Sequence, residues 1–174
     1  MKQNLPGTAA EVALLPKNTR RSLPMALLRA REVVMARFRP MLARHDITEQ
    51  QWRVIRVLSE ESPLDATEVA IRASILAPSL TRIIKALEAR RLITRGKFAD
   101  DGRRVQLAIA PDGTALIESV LPERRQIYND LESRHGLDDL DRLLDMLEAL
   151  IQRELADPAP DGEAASLAEA DELP

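Results

Sequence analysis

The middle of the chain concentrates side chains that could bind a nucleic acid. From Pro63 to Ile109 it has nine basic and five acidic residues, a net charge of +4, whereas the whole chain carries −3. Within this stretch Ser79 and Thr81 carry hydroxyl groups, and Arg82 and Lys85 follow about one helical turn later. Hydroxyl groups can hydrogen-bond bases or phosphates, and cations neutralise phosphate charge. These residues indicate a surface for duplex DNA, although basic residues on helices also commonly form a solvated face.

A second set of residues could hold an aromatic carboxylate. Such a ligand needs a cation for its carboxylate and a flat apolar slot for its ring. Arg31 and Met35 stand four residues apart, and Phe38 lies two turns after Arg31 on the same helix face. We expect Arg31 to bind the carboxylate and Trp52 to form part of the slot wall. Weaker candidates are Arg39, Arg53 and His45.

Each ligand residue also has a purely structural interpretation. Arg31 could pair with Glu32, with Glu49 or with an acid of a partner subunit. Trp52 lies in an apolar stripe and could belong to an ordinary core. His45 stands near a helix end, where it could cap the helix or face solvent. The sequence leaves both interpretations of this site open.

The composition excludes several other chemistries. The chain has no cysteine, which rules out disulfides, thiolate metal sites, iron–sulfur clusters and a cysteine-based redox sensor. Its two histidines, His45 and His135, are too few for a multi-histidine metal site within one chain. The sequence contains neither a Gly-x-Ser-x-Gly elbow nor a glycine-rich phosphate loop. We therefore expect neither an enzyme nor a bound cofactor or metal.

Hydropathy gives no sign of a membrane segment or a leader. No run of 18 apolar residues occurs. The first 23 residues lack the apolar core of a secretory signal. We therefore expect a cytoplasmic protein that does not bind a membrane.

The pattern of apolar residues predicts a mainly α-helical chain. With 6 glycines and 2% aromatic residues, the composition argues against an all-β sandwich or barrel. Helical periodicity extends over residues 24–44, 49–61, 111–134 and 137–155. Both Asp46 and Thr48 offer an N-cap for the second of these helices.

Two shorter helices between these are predicted to form a helix-turn-helix. Asp65, three residues before Glu68, caps the first helix, which ends near Ala73. Pro78 opens the second helix, which runs to about Arg91. The turn between them has three or four residues, as in DNA-binding helix pairs.

A β-hairpin is predicted directly after the helix-turn-helix. Residues 92–97 are β-prone, Asp100-Asp101-Gly102 has turn chemistry, and residues 105–109 alternate between apolar and other side chains. A helix-turn-helix followed by a basic hairpin is the winged-helix arrangement. The predicted fold is thus mainly α with a small β-hairpin wing.

The two ends of the chain differ from its middle. We expect an irregular arm over 1–22, a folded domain over 23–155 and a disordered tail over 156–174. The tail has six acidic residues and no basic one, so the rest of the chain has 25 basic and 22 acidic residues, a net charge of +3. The long helices at 24–44 and 111–155 have more apolar surface than the DNA-binding lobe, over about 47–110, can cover. They are therefore expected to form a homodimer.

These features together resemble the MarR family of winged-helix regulators. The resemblance rests on the helix-turn-helix of 64–87, the block Leu87-Glu88-Ala89-Arg90-Arg91-Leu92-Ile93 and the wing Asp101-Gly102-Arg103-Arg104. One departure is at Leu76-Ala77, where the family usually has a small polar N-cap. Ser74 or the preset φ of Pro78 would have to compensate.

The first two helices are similar to one branch of that family, which contains the repressor of the homoprotocatechuate (4-hydroxyphenylacetate) degradative operon. The matching segments are Ala30-Arg31-Glu32, Phe38-Arg39-Pro40, 48–53 and 75–81. The resemblance implies a homodimeric repressor on a pseudo-palindromic operator, released when an aromatic acid binds. The alternative is a MarR-type regulator with a different effector or none.

The winged-helix arrangement also assigns DNA contacts. The second helix should enter the major groove with its N-terminal residues. The residues expected to face DNA there are Ala77, Pro78, Ser79, Thr81, Arg82 and Lys85. In the wing, Arg103 is expected to enter the minor groove, with Arg104 beside it on the DNA surface. Asp101 is expected to hold the wing arginine through an ion pair rather than touch DNA.

Overall fold

The computed structural model describes residues 19–97 and 105–157. A short 3-10 helix at Thr19–Arg21 precedes six α-helices and three β-strands in these ranges. The helices are α1 (Leu23–Arg44), α2 (Glu49–Glu60), α3 (Ala66–Ala73), α4 (Ala77–Ala89), α5 (Pro111–His135) and α6 (Leu137–Ala156). The strands are β1 (Leu64–Asp65), β2 (Ile93–Lys97) and β3 (Val105–Ile109). No helix within the described ranges has the length and apolarity needed to cross a membrane.

The chain divides into two compact units, one ending at Phe38 and the other beginning at Arg39. The described part of the first unit is the 3-10 helix and the start of α1. Its side chains Leu23, Leu28 and Val33 are exposed. Over 19–38, the part that the structure describes, this unit therefore presents apolar helix surface. The predicted arm over 1–22 lies outside the described residues except for its last four.

The second unit contains the helix-turn-helix and its hydrophobic core. Thr48 caps α2 through a capping box with Gln51, which satisfies two backbone N–H groups at the helix start. Asp46 does not cap; its φ of 52° places it in the turn before Thr48. The core is drawn mainly from α2, α3, α4 and the sheet, with the end of α1 and part of α5 also contributing buried side chains. Its fully buried side chains include Val54, Ile55, Leu58, Val69, Leu87 and Leu107.

The sheet has three antiparallel strands in the order β1-β3-β2. The hairpin of β2 and β3 was predicted, and its register pairs Ile93 with Ile109 and Lys97 with Val105. Strand β1 was not predicted; it pairs Leu64 with Leu107. A two-residue strand has no periodicity of its own, and its partner is 43 residues away in the chain. Residues 98–104, which include the predicted turn Asp100-Asp101-Gly102, lie outside the described residues.

Two long helices complete the second unit. The start of α5 packs closely against Leu92, the residue before β2. Gly113 lies so near the carbonyl oxygen of Leu92 that a Cβ atom at this position would collide with it. Gly136 ends α5 with a φ of 81°, as its position in the sequence predicted. α6 follows, and although it lies wholly within the described residues it buries none of its side chains. The predicted tail lies outside the described residues beyond Asp157.

Candidate nucleic-acid interface and ligand site

The turn between α3 and α4 determines how α4 is presented. Asp65 caps α3 by accepting a hydrogen bond from the backbone N–H of Glu68 at 2.8 Å. Ser74 ends α3 in the left-handed conformation, with a φ of 50°. Ser74 therefore closes α3 and does not cap α4. The N-cap of α4 is Leu76, which makes no side-chain hydrogen bond. Pro78 in the first turn lowers the need for a cap, because proline has no N–H to satisfy.

One face of α4 is buried and the opposite face is open. Leu80, Ile83, Ile84 and Leu87 point into the core, as their spacing predicted. The residues predicted to face DNA lie on the other side: Ala77, Pro78, Thr81, Arg82 and Lys85 are exposed and Ser79 is half-buried. The structure therefore brings five of the six residues together on an accessible helix face, with Ser79 at its edge.

The exposed face of α4 continues toward β2. Thr81 lines a hollow of about 110 Å³ together with Ala66, Ile84 and Arg95. This hollow places a cation of the sheet beside a hydroxyl-bearing residue of α4. Of the wing residues, Asp101, Arg103 and Arg104 lie outside the described residues.

Arg72 of α3 forms ion pairs with two acidic side chains. Arg72 donates hydrogen bonds to Glu61 at 2.6 Å and to Glu68 at 2.5 Å. These bonds, first that to Glu61 and then that to Glu68, raise the pKa of Arg72 above its usual value. Its charge is therefore balanced within the protein.

The predicted ligand residues of the first unit lie on α1. Arg31 is exposed and forms an ion pair with the adjacent Glu32 at 2.6 Å. This is one of the structural partners that the sequence left open. Met35 and Phe38 are half-buried. The guanidinium and the two apolar side chains thus share one helix side, as predicted, with a carboxylate already on the arginine.

The predicted ligand residues of the second unit have different surroundings. Arg39 donates a 2.5 Å hydrogen bond to Glu49. Trp52 is half-buried. Arg53 donates to the carbonyl oxygens of Ala73 and Ser74, both at 2.8 Å. Arg53 therefore ties α2 to the end of α3 and stabilises the helix-turn-helix.

Two further features of the structure were not among the predicted site residues. Arg56 stands one turn after Trp52 on α2; it is half-buried and pairs with the exposed Glu60 at 2.5 Å. On α5, a hollow of about 300 Å³ is lined by Leu121, Arg124, Arg125, Tyr128, Asn129 and Glu132. The guanidinium carbon of Arg124 lies 5.3 Å from the ring centroid of Tyr128. The i, i+4 spacing of Arg124 and Tyr128 was the available signal for this second group.

Comparisons with known proteins agree with this geometry. Residues 45–104 match the family model described as MarR family. The chain is similar to the homoprotocatechuate degradative operon repressor of Escherichia coli, with 38% identity over 75% of this chain and 88% of that protein. This relative is a transcriptional repressor and not an enzyme.

Two solved structures are also similar. One is NadR in complex with 4-hydroxyphenylacetate, with 40% identity, a TM-score of 0.68 and coverage of 74% of this chain and 92% of that one. The other is the repressor CouR bound to a 23-mer DNA duplex, with 29% identity, a TM-score of 0.68 and coverage of 75% and 92%. The predicted winged-helix fold is confirmed, and the chain belongs to the MarR family of transcriptional regulators.

Proposed function

We propose that the chain is the homodimeric repressor of an operon for degrading an aromatic acid, and that a phenolic carboxylate releases it from its operator. The observation that carries this proposal is the exposed face of α4, where hydroxyl and cationic side chains stand above a buried apolar stripe. The ligand class is supported by two relatives, the homoprotocatechuate operon repressor and NadR with 4-hydroxyphenylacetate.

The DNA contacts follow from the position of each residue on α4. The N-terminal turn of α4 enters the major groove, where Ala77 and Pro78 contact thymine methyl groups and the two hydroxyl residues, Ser79 and Thr81, donate hydrogen bonds. Arg82 and Lys85, one turn further, bind phosphates. In the wing, Arg103 reads the minor groove, Arg104 lies beside it and Asp101 supports the wing arginine.

The second copy of the chain is held by the helices that the core leaves uncovered. Along α6, Leu144 is 62% exposed, Ile151 50% and Leu155 72%. Burying such a side chain stabilises an interface by about 1.5–3 kcal/mol. We propose that the residues of 24–44 and 111–155 form this interface. A two-fold dimer then presents two α4 helices to half-sites about one helical turn apart.

The carboxylate of the effector needs an arginine that can change its partner. Arg31 on α1 remains one proposed partner, with Met35 and Phe38 beside it on that helix. In the second unit, Trp52 remains the proposed slot wall, with Arg53 next to it in the chain and Arg39 on the last part of α1. The bonds of Arg53 to the end of α3 make it a structural arginine rather than a ligand partner. We add Arg56, whose partner Glu60 is exposed and readily replaced by a ligand carboxylate.

Release requires that the ligand prefer one conformation of the dimer. A ligand that binds both conformations equally shifts no equilibrium, however tight its binding. We propose that the aromatic acid favours a dimer in which the two α4 helices no longer match the half-site spacing. Operator and acid then lower each other's affinity by the same factor.

Fluorescence anisotropy of a labelled duplex from the promoter beside the chain's own gene tests the proposal. We expect selective binding over a scrambled duplex, and weaker binding in millimolar 3,4-dihydroxyphenylacetate. Selective binding that no aromatic acid weakens would support the alternative, a MarR-type regulator with another effector or none. Binding of operator and scrambled duplex with equal affinity would contradict operator recognition at that promoter.

The same assay separates the two proposed carboxylate partners. Arg31→Gln and Arg56→Gln should each leave operator affinity nearly unchanged in the absence of acid. The variant that removes the true partner should need on the order of 10-fold more acid for release, because it loses a charge-assisted bond. Arg37→Gln, on α1 and unassigned to any contact, is the matched control.

A further inference from the structure

We propose that the turn between α1 and α2, residues 45–48, couples α5 to α4, with Arg90 and Glu123 as its two positioning residues. The inference rests on the proposed function, since it concerns how release is transmitted to the DNA-binding helix. All the contacts involved lie within the second unit. The turn touches Arg90 through its backbone carbonyls and α5 through the His45 side chain, and Arg44, the last residue of α1, contacts α5 beside it.

The turn itself has a fixed shape. The backbone N–H groups of His45 and Asp46 donate to Leu42 and Ala43, both at 3.1 Å, and that of Ile47 donates to Leu42 at 3.0 Å. Ile47 is buried. With its N–H groups engaged and one side chain in the core, the turn moves as a unit rather than residue by residue.

The contact with α4 is made by Arg90, the C-cap of that helix. Its guanidinium donates to the carbonyl oxygen of His45 at 3.1 Å and also to that of Asp46. The planar guanidinium binds both carbonyls at once, which fixes its direction as well as its distance. A cation at a helix C-terminus is also favoured by the helix dipole. Arg90 therefore fastens the end of α4 to the turn.

The contact with α5 is made by Glu123. The carboxylate of Glu123 forms an ion pair with the Arg44 guanidinium, and its other oxygen lies 3.7 Å from Nε2 of His45. Glu123 stands on α5 between Leu121 and Arg124, two residues that line the α5 hollow. A ligand that displaces this part of α5 would therefore displace the turn through Glu123.

These polar contacts suit a coupling role better than a stabilising one. Exposed ion pairs contribute little to folding, because solvent screens the two charges. Arg44, His45, Arg90 and Glu123 lie at the surface or are half-buried, while the core near them is apolar. Removing either positioning residue should therefore leave the fold intact and change only how α4 follows α5.

The test compares Glu123→Gln and Arg90→Gln with two charge-matched controls elsewhere on α5, Glu118→Gln and Arg134→Gln. Operator affinity is measured with and without 3,4-dihydroxyphenylacetate, and the ratio of the two dissociation constants is the readout. We expect the control ratios to equal that of the unaltered chain and both positioning variants to reduce it at least fivefold. The double variant should reduce the ratio no further than either single variant does, because both residues act through one turn.

Unchanged ratios in both positioning variants would overturn the proposal. So would a loss of operator affinity in Arg90→Gln with an unaltered ratio and a salt slope lower by about one, the signature of a phosphate contact.

Hydrogen exchange keeps the coupling testable if no acid releases the unaltered chain, a result that would count against the proposed function. Without DNA or acid, Glu123→Gln should speed amide exchange at the end of α4, over 86–91, and Glu118→Gln should not. An amide exchange rate over 86–91 that is the same in Glu123→Gln as in the unaltered chain would overturn the proposed coupling, whether or not the acid releases DNA.

Discussion

The helix-turn-helix lobe and α6 contain similar apolar residues in opposite surroundings. In the lobe, Leu58 on α2 and Leu87 on α4 have no exposed surface. On α6, Leu144 and Leu155 are more than half exposed, and no side chain of the helix is fully buried. Both regions have strongly amphipathic helices, so the sequence pattern is the same. The difference is that the lobe covers its apolar helix faces itself, whereas those of α6 stay exposed, and we propose that a second chain covers them.

This difference assigns separate tasks to the two regions. The lobe is a self-contained platform, with capped helices and the backbone contacts of Arg53 holding α4 in position. We propose that the uncovered helices join two chains and so set the spacing of two such platforms. Substitutions in the lobe core should therefore lower the free energy of unfolding, and substitutions on α6 should weaken the proposed dimer.

The largest effect is expected from Leu58→Ala in the lobe core. Removing a fully buried leucine side chain leaves a cavity and should lower the free energy of unfolding by about 2–5 kcal/mol. Urea unfolding followed by circular dichroism measures this loss. Leu144→Ala is the matched control. It should lower the urea concentration at the unfolding midpoint only to the extent that it weakens the dimer. Equal losses at low protein concentration would show that the two regions do not differ.

The next largest effect is expected from Leu144→Asp on α6. A carboxylate in the proposed interface should produce a folded monomer and weaken operator binding by on the order of 100-fold, because a single lobe contacts one half-site. Sedimentation equilibrium and anisotropy measure the two effects. Glu148→Ala, one turn later on the same helix, is the control. A variant that stays dimeric would contradict the proposed role of α6.

Local signals explain how much of this arrangement the sequence revealed. Asp65, Thr48 and Gly136 each determine a helix end through contacts within a few residues, so the helix boundaries were predictable. β1 was missed because its two residues become a strand only by pairing with β3. The role of Arg53 was also hidden, since its acceptors lie 20 and 21 residues away and are backbone atoms without a residue-type signature. Long-range contacts of this kind decide whether an arginine binds a ligand or a helix end.

A smaller effect is expected from Arg82→Ala on the open face of α4. Loss of one phosphate contact should weaken operator binding by about 10-fold and lower the salt slope by about one. The fold should be unchanged, because the side chain is exposed. Anisotropy at several salt concentrations provides both numbers. Arg72→Ala is the control, since its charge is balanced by two acids; equal salt slopes for these two variants would contradict the assigned face.

The smallest effect is expected from Asp65→Ala at the start of α3. Loss of the N-cap bond to Glu68 should lower the free energy of unfolding by about 1 kcal/mol. Asp65→Asn should keep most of the stability of the unaltered chain, because an amide oxygen can accept the same hydrogen bond. Urea unfolding distinguishes the two variants. A larger loss in Asp65→Asn than in Asp65→Ala would show that the cap is not the source of stability.

The central claim is that the lobes bind DNA as a pair that the uncovered helices hold together and that an aromatic acid releases. Sedimentation velocity of the chain with labelled operator, with and without 3,4-dihydroxyphenylacetate, tests it most directly. We predict two chains on each duplex, and acid that frees the DNA while the protein still sediments as a dimer. One chain per duplex, or acid that releases monomers, would contradict the account.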